Sequence, residues 1–226
     1  KIGQDIDGAA YNNNSGYSVS ISSDGNIVAI GAPYNNGNGG QAGHVRIYAY
    51  NGTSWNQLGN DIYGETPVDR SGLSVSLSSD GNTVAIGADW NDGNFSSGGG
   101  LAGTCGHVRI YNWDGNNWNQ LGNDIDGEAA NDQSGYSVSL SSDGYTVAIG
   151  ARMNDGNTSN PTDNRGHVRI YQWDGNSWNQ LGNDIDGEED FDWSGCSVSL
   201  SSDGNTIAIG ALFNGGNGYR SGHVRV

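Results

Sequence analysis

One stretch occurs four times in this chain of 226 residues, and that repetition restricts the fold more than any other feature. Residues 134–151 read SGYSVSLSSDGYTVAIGA, and close copies run from Ser15 to Ala32, Ser71 to Ala88 and Ser194 to Ala211. A GHVR signature follows each copy, with its histidine at His44, His107, His167 and His223. A self-similar period of this kind belongs to stacked units, none of which buries its apolar face alone.

Each copy reads as a hairpin. Ser137–Ser141 (SVSLS) alternates small polar with large apolar residues, the period of a strand. Thr146–Ala151 (TVAIGA) alternates too, with Val147 and Ile149 on one side and Ala148 and Gly150 on the other. Between them, Asp143-Gly144 is a turn signal, because glycine accepts the positive φ that a tight turn needs. The result is a sheet with one bulky and one nearly bare face, which stacks on copies of itself bulky against bare. A second hairpin starts at GHVR: Gly166–Trp173 runs out, Asp174-Gly175 turns, and Trp178–Asp186 returns. The expectation is an all-β propeller of four-stranded antiparallel blades, four repeats of about 60 residues in a single domain spanning 1–226. The units run over 15–70, 71–133, 134–193, and 194–226 together with 1–14.

Lys1–Gly8 matches Gln57–Gly64 and Gln120–Gly127, so the chain opens inside a fourth strand and stops at Val226, inside a third. Either the N-terminal strand completes the last blade and closes a ring, or the chain is part of a longer array. A start at Lys1 rather than Met suits a mature or excised piece. Closure is favoured, since it removes exposed sheet edges. Successive Ser-Gly starts lie 56, 63 and 60 residues apart, yet each GHVR histidine is always 27 residues before the next start (His44 to Ser71, His107 to Ser134, His167 to Ser194). All length variation therefore falls in the loops between VAIGA and GHVR. In repeat proteins such loops gather on one face, often the binding face.

The net charge of −16, with one lysine and eight arginines, argues against nucleic acid as a partner. The chain has no apolar run of membrane-spanning length, so membrane insertion is not expected. Its 39 glycines recur at fixed turn and strand positions, which separates it from low-complexity sequence. Cys105 and Cys196 are not at matching repeat positions and read as free thiols. N-x-S/T sequons stand at Asn13, Asn51, Asn94 and Asn157.

Ser15-Gly16, Ser18-Val19, Gly31-Ala32-Pro33 and Gly43-His44-Val45 together resemble the FG-GAP repeat of the integrin α N-terminal propeller, and the resemblance covers essentially the whole chain. It implies an extracellular, secreted or cell-surface propeller used for adhesion or recognition. It does not bring that family's calcium site. The loops at Asp24, Asp80, Asp143 and Asp203 carry one carboxylate each, too few for the six to eight oxygens calcium takes.

Four sets of residues are weighed for function. The acidic linkers offer Asp124, Asp126 and Glu128, and again Asp184, Asp186 and Glu188, as ligands for a hard cation, calcium being the cofactor considered. Asp124 and Asp126 are expected on one side of a strand. The repeated histidines His44, His107, His167 and His223 and arginines Arg46, Arg109, Arg169 and Arg225 read as structural, each arginine pairing with a linker carboxylate, because catalysis needs one constellation rather than four. Trp55, Trp118 and Trp178 repeat strictly, which suits packing more than sugar stacking. In or beside the variable loops, Trp90, Asn91, Asp92, Phe95, Asn154, Asp155, Phe213 and Asn214 are the candidates for ligand contact.

The function these readings point to is non-enzymatic: an extracellular recognition or adhesion module that holds a protein or glycan, on a cell surface or matrix, through its variable-loop face. The alternative is a structural repeat subunit of a filament, sheath or virion-like assembly, its partners further copies of itself. A cation-dependent or lyase-like enzyme ranks third, for want of a non-repeated polar cluster.

Overall fold

The computed structural model describes residues 1–93, 103–156 and 162–226, which hold strands and turns and no helix. The first unit contains β1 (Ser18–Ile21), β2 (Ile27–Ala32), β3 (His44–Tyr50), β4 (Trp55–Gln57) and β5 (Ile62–Tyr63). The second repeats them as β6 (Ser74–Leu77), β7 (Thr83–Ala88), β8 (His107–Trp113), β9 (Trp118–Gln120) and β10 (Ile125–Asp126). The third has β11 (Ser134–Leu140), β12 (Thr146–Ala151), β13 (His167–Trp173), β14 (Trp178–Gln180) and β15 (Ile185–Asp186). The fourth has β16 (Ser194–Leu200), β17 (Ile207–Ala211) and β18 (His223–Arg225). Within the sheets the strands pair antiparallel, in three sheets of five strands and a last sheet of three.

In every complete sheet the outer strand is broken. The WNQ piece and the Ile-Asp or Ile-Tyr piece both pair with the GHVR strand, separated by a bend at Leu-Gly-Asn-Asp. At the first hairpin, the Ser141 hydroxyl donates to Asp143 at 2.6 Å and accepts the Thr146 N–H at 2.9 Å. Gly144 takes φ 76° at the turn. The same serine–aspartate clasp forms at Asp24, Asp80 and Asp203. It holds the Asp24 and Asp203 carboxyls down at about 2, the serine hydroxyl being the main cause.

Sheets stack bulky face on bare face. Val84 and Ile86 of the second sheet cluster with Ala29, Val45 and Ile47 of the first, and Val147 and Ile149 of the third pack against Ala85, Val108 and Ile110 of the second. Full burial of each such side chain contributes roughly 1.5–3 kcal/mol. The bare face must stay bare: a Cβ on Gly87 would lie 2.0 Å from the Gly135 carbonyl oxygen of the next sheet. Polar rivets run alongside, since the Leu77, Leu140 and Leu200 N–H groups each donate at 2.9 Å to a serine hydroxyl of the preceding sheet (Ser20, Ser76 and Ser139).

The N-terminal residues do not close a ring. Residues 1–8 form no strand, and β18 pairs only with β17. They lie against the first sheet instead: Trp55 Nε1 donates to the Ile2 carbonyl at 3.3 Å and Arg46 to the Asp7 carbonyl at 2.8 Å. Trp118 and Arg109 make the same contacts to Leu58 and Tyr63 one unit later. The latch residues of the first unit thus already hold residues 1–8, in the place that a preceding unit's outer strand would take.

Candidate functional site

Two regions gather polar chemistry. At the loop end of the stack, residues that differ from unit to unit converge. The Arg70 guanidinium lies 3.4 Å above the Trp90 ring and 5.5 Å from Tyr34. Arg152 lies 3.7 Å above Tyr136 and 4.9 Å from Trp193, whose ring meets Phe213 at 4.5 Å. The Arg220 guanidinium lies 4.5 Å from the Phe213 ring. Cation–π pairs of this kind orient aromatic faces and guanidinium edges together. Asp89 is buried beside them, and one carboxylate oxygen has no hydrogen-bond partner. Burial pushes its pKa up to about 6, against the pull of Arg70 and Arg152.

Of the loop residues singled out in the sequence, Trp90 and Phe213 join this aromatic–arginine array. Asn91, Asn154 and Asn214 are buried, and their side chains pin the loops: each amide oxygen accepts the N–H of the glycine two residues on. Asn154 and Asn214 also donate at 2.9 Å to the buried Asp132 and Asp192. These amides are committed to the loop itself. Asp155 accepts the Asn164 N–H at 3.1 Å, and Asp92 is half-buried. Phe95 and the sequons at Asn94 and Asn157 lie outside the described residues. Sequence reasoning missed Arg70, Asp89 and Arg152; the signal was that each occupies a repeat position where the other units carry something else.

The second region lies between sheets, at the GHVR histidines. Glu65 from the linker of the first unit meets His107 and Asp124 of the second, and Glu128 of the second meets His167 and Asp184 of the third. His107 Nδ1 stands 3.6 Å from Asp124, and His167 Nδ1 stands 3.9 Å from Glu128 and 4.0 Å from Asp184. Burial, then the adjacent arginine, lowers His107 to about 3 and His167 to about 4. Both imidazoles are therefore neutral at pH 7, and these approaches are not ion pairs. Each arginine holds the arrangement from outside: Arg109 donates to the Tyr63 carbonyl at 2.7 Å and approaches Glu65 at 3.5 Å. Arg169 does the same with the Asp126 carbonyl at 2.7 Å and Glu128 at 3.4 Å, and Arg225 with the Asp186 carbonyl and Glu188.

The acidic residues are partitioned differently from the strand-based expectation. Because the outer strand breaks before Ile125, Asp124 sits in the bend and Asp126 in the strand, so period-two alternation does not relate them. Asp124 faces His107, whereas the Asp126 carboxylate lies near Gly93 in the variable loop and that of Asp186 near Gly156. Glu128 and Glu188 reach forward to the histidines of the following units, His167 and His223. Cys105 and Cys196 are free thiols, and burial raises Cys105 to about 11, leaving it unreactive.

Trp118 and Trp178 donate from Nε1 to the Leu58 and Leu121 carbonyls of the preceding units at 2.9 and 2.7 Å, and pack on Trp113 and Trp173. They latch one sheet to the next. No family model and no curated protein matches the chain.

Proposed function

We propose that this chain is a non-enzymatic recognition or adhesion module of the FG-GAP kind, working outside the cell and holding a protein or glycan at the loop end of a propeller-like arc of sheets. The observation that carries this reading is the convergence there of the residues that break the repeat. Positions occupied by Pro33, Asp89, Arg152 and Leu212 are equivalent in the four units, and differences of this kind at one repeat position suit the binding of something asymmetric. Aromatic faces flanked by guanidinium groups suit stacking on a sugar ring or clasping of a carboxylate.

The test is a glycan and peptide binding screen on the purified chain, with its mass in solution recorded alongside. Tyr219 is 89 % exposed, so Tyr219→Ala and Arg220→Ala probe the surface without disturbing the core. A monomer that binds saturably and loses at least about tenfold affinity in these variants supports the reading. Binding unaffected by them, or none from either ligand class, sinks it.

A second reading, a structural array, is favoured by the two end faces. Val19 and Ile21 on the first sheet are 64 % and 60 % exposed, and Gly210 on the last sheet has no neighbouring backbone over it. These are the bulky and bare faces that mate three times within the chain. Concentration-dependent growth in sedimentation, abolished by Ile21→Asp, would favour this reading over the first.

A further inference from the structure

We propose that the two inter-sheet clefts formed by Glu65, His107 and Asp124 and by Glu128, His167 and Asp184 bind a first-row divalent cation of the zinc type, two ions per chain. In each cleft, one ligand atom from every residue lies within 4.8 Å of the others. Tetrahedral ligands at zinc stand about 3.4 Å apart when the bonds are near 2.1 Å. The approaches of His107 to Asp124 and of His167 to Glu128 and Asp184, 3.6 to 4.0 Å, need to close by a few tenths of an ångström, and the remaining pairs, within 4.8 Å, by up to about 1.4 Å.

The imidazole is the second and independent sign. His107 is 1 % exposed, and neither ring nitrogen has a hydrogen-bond partner, although Nδ1 points at Asp124; His44 has the same unpartnered nitrogens in a cleft that lacks the glutamate, and His167 is equally buried. A buried polar group without a partner is costly and calls for an explanation. A ligated cation supplies one. The donor set of one nitrogen and two carboxylates suits zinc and its neighbours better than calcium, which takes oxygen alone. Arg169 engages Oε1 of Glu128 while Oε2 faces His167, so the arginine orients the glutamate from outside. Its positive charge is the opposing factor, set against two carboxylates in each cleft.

The chain contains its own controls. In the first unit, Ala9 stands where Glu65 and Glu128 stand in the linkers of the next two, and there His44 approaches Asp61 directly at 3.2 Å. At His223 the described residues hold Glu188 at 3.7 Å and no outer-strand aspartate. Among the described residues two clefts are complete and two are not.

The experiment is titration of the chelator-treated chain with Zn²⁺, and with Ca²⁺ in parallel, followed by calorimetry and native mass spectrometry. Two Zn²⁺ ions per chain are expected, with Ca²⁺ weaker. Glu65→Gln and Glu128→Gln change half-exposed side chains and leave the fold intact. Each should weaken one site at least tenfold, and the pair both sites, while His44→Ala should leave the count at two. His107→Ala should reduce the count to one. Absence of zinc binding, a count that tracks all four histidines, or sites indifferent to the glutamine variants would overturn the proposal.

Discussion

The first and second sheets carry the same hairpin yet live in different surroundings. Val75 and Leu77 are 9 % and 8 % exposed, whereas their counterparts Val19 and Ile21 are 64 % and 60 % exposed. Nothing in the local sequence distinguishes them. The difference is that the second sheet has the bare face of the first beneath it, whereas among the described residues no sheet covers the bulky face of the first. Most of the stability of this fold therefore resides in the joints between units, as expected for an architecture whose energy is a sum of units and nearest-neighbour interfaces.

The strongest way to break the comparison is at the bare face. Gly87→Ala drives a methyl group into the Gly135 carbonyl of the next sheet, and a loss of about 4 kcal/mol or more is expected. Gly210→Ala meets only the Ser197 hydroxyl of its own hairpin, so its loss should be much smaller. Equal losses in urea unfolding would mean that the hairpin, not the joint, sets the requirement. Next, Leu77→Ala should cost about 3 kcal/mol and Ile21→Ala well under 1 kcal/mol, because only the first leaves a cavity.

A smaller effect separates the two polar regions by pH. Asp89 has its folded pKa raised to about 6, so what it contributes is fully present below about pH 4 and lost as pH rises through 6. Asp89→Asn should therefore stabilise the chain by about 2 kcal/mol at pH 8 and by almost nothing at pH 4. His107 and His167, facing Glu65, Asp124 and Arg109 or Glu128, Asp184 and Arg169, are shifted down instead. Their contribution holds above pH 6.5 and is lost as pH falls toward 4. Thermal unfolding of the metal-free chain across pH 4–8 should show both limbs, with only the upper one altered by Asp89→Asn. The smallest expected effect is that of Trp118→Phe, which removes one hydrogen bond to Leu58 and should cost about 1 kcal/mol by chemical denaturation.

The repeat and its alternation carried the all-β class, the paired hairpins and the mating of bulky with bare faces, because each depends on residues a few positions apart. The break in the outer strand was not legible, and with it went the placement of Asp124 and Asp126. The run WNQLGNDID reads as continuous, whereas in the structure it bends at Leu-Gly-Asn-Asp, where the Leu58 and Leu121 carbonyls accept from Trp118 and Trp178 of the next sheet. The loop asparagines looked available for ligands because sequence does not reveal burial. The arginine–aromatic array was hidden because its members come from different units and are ordinary singly.

By itself the sequence determined the unit: turn glycines, alternating strands, and a fixed interval from histidine to the next start. Only the tertiary structure decided what lies between units, and there the chemistry sits. Glu65, His107 and Asp124 are 42 and 17 residues apart in the chain, and no local period relates them. They meet because each sheet is laid on the last by contacts that no single unit contains, so a side chain's partner is set by the neighbouring sheet rather than by its own.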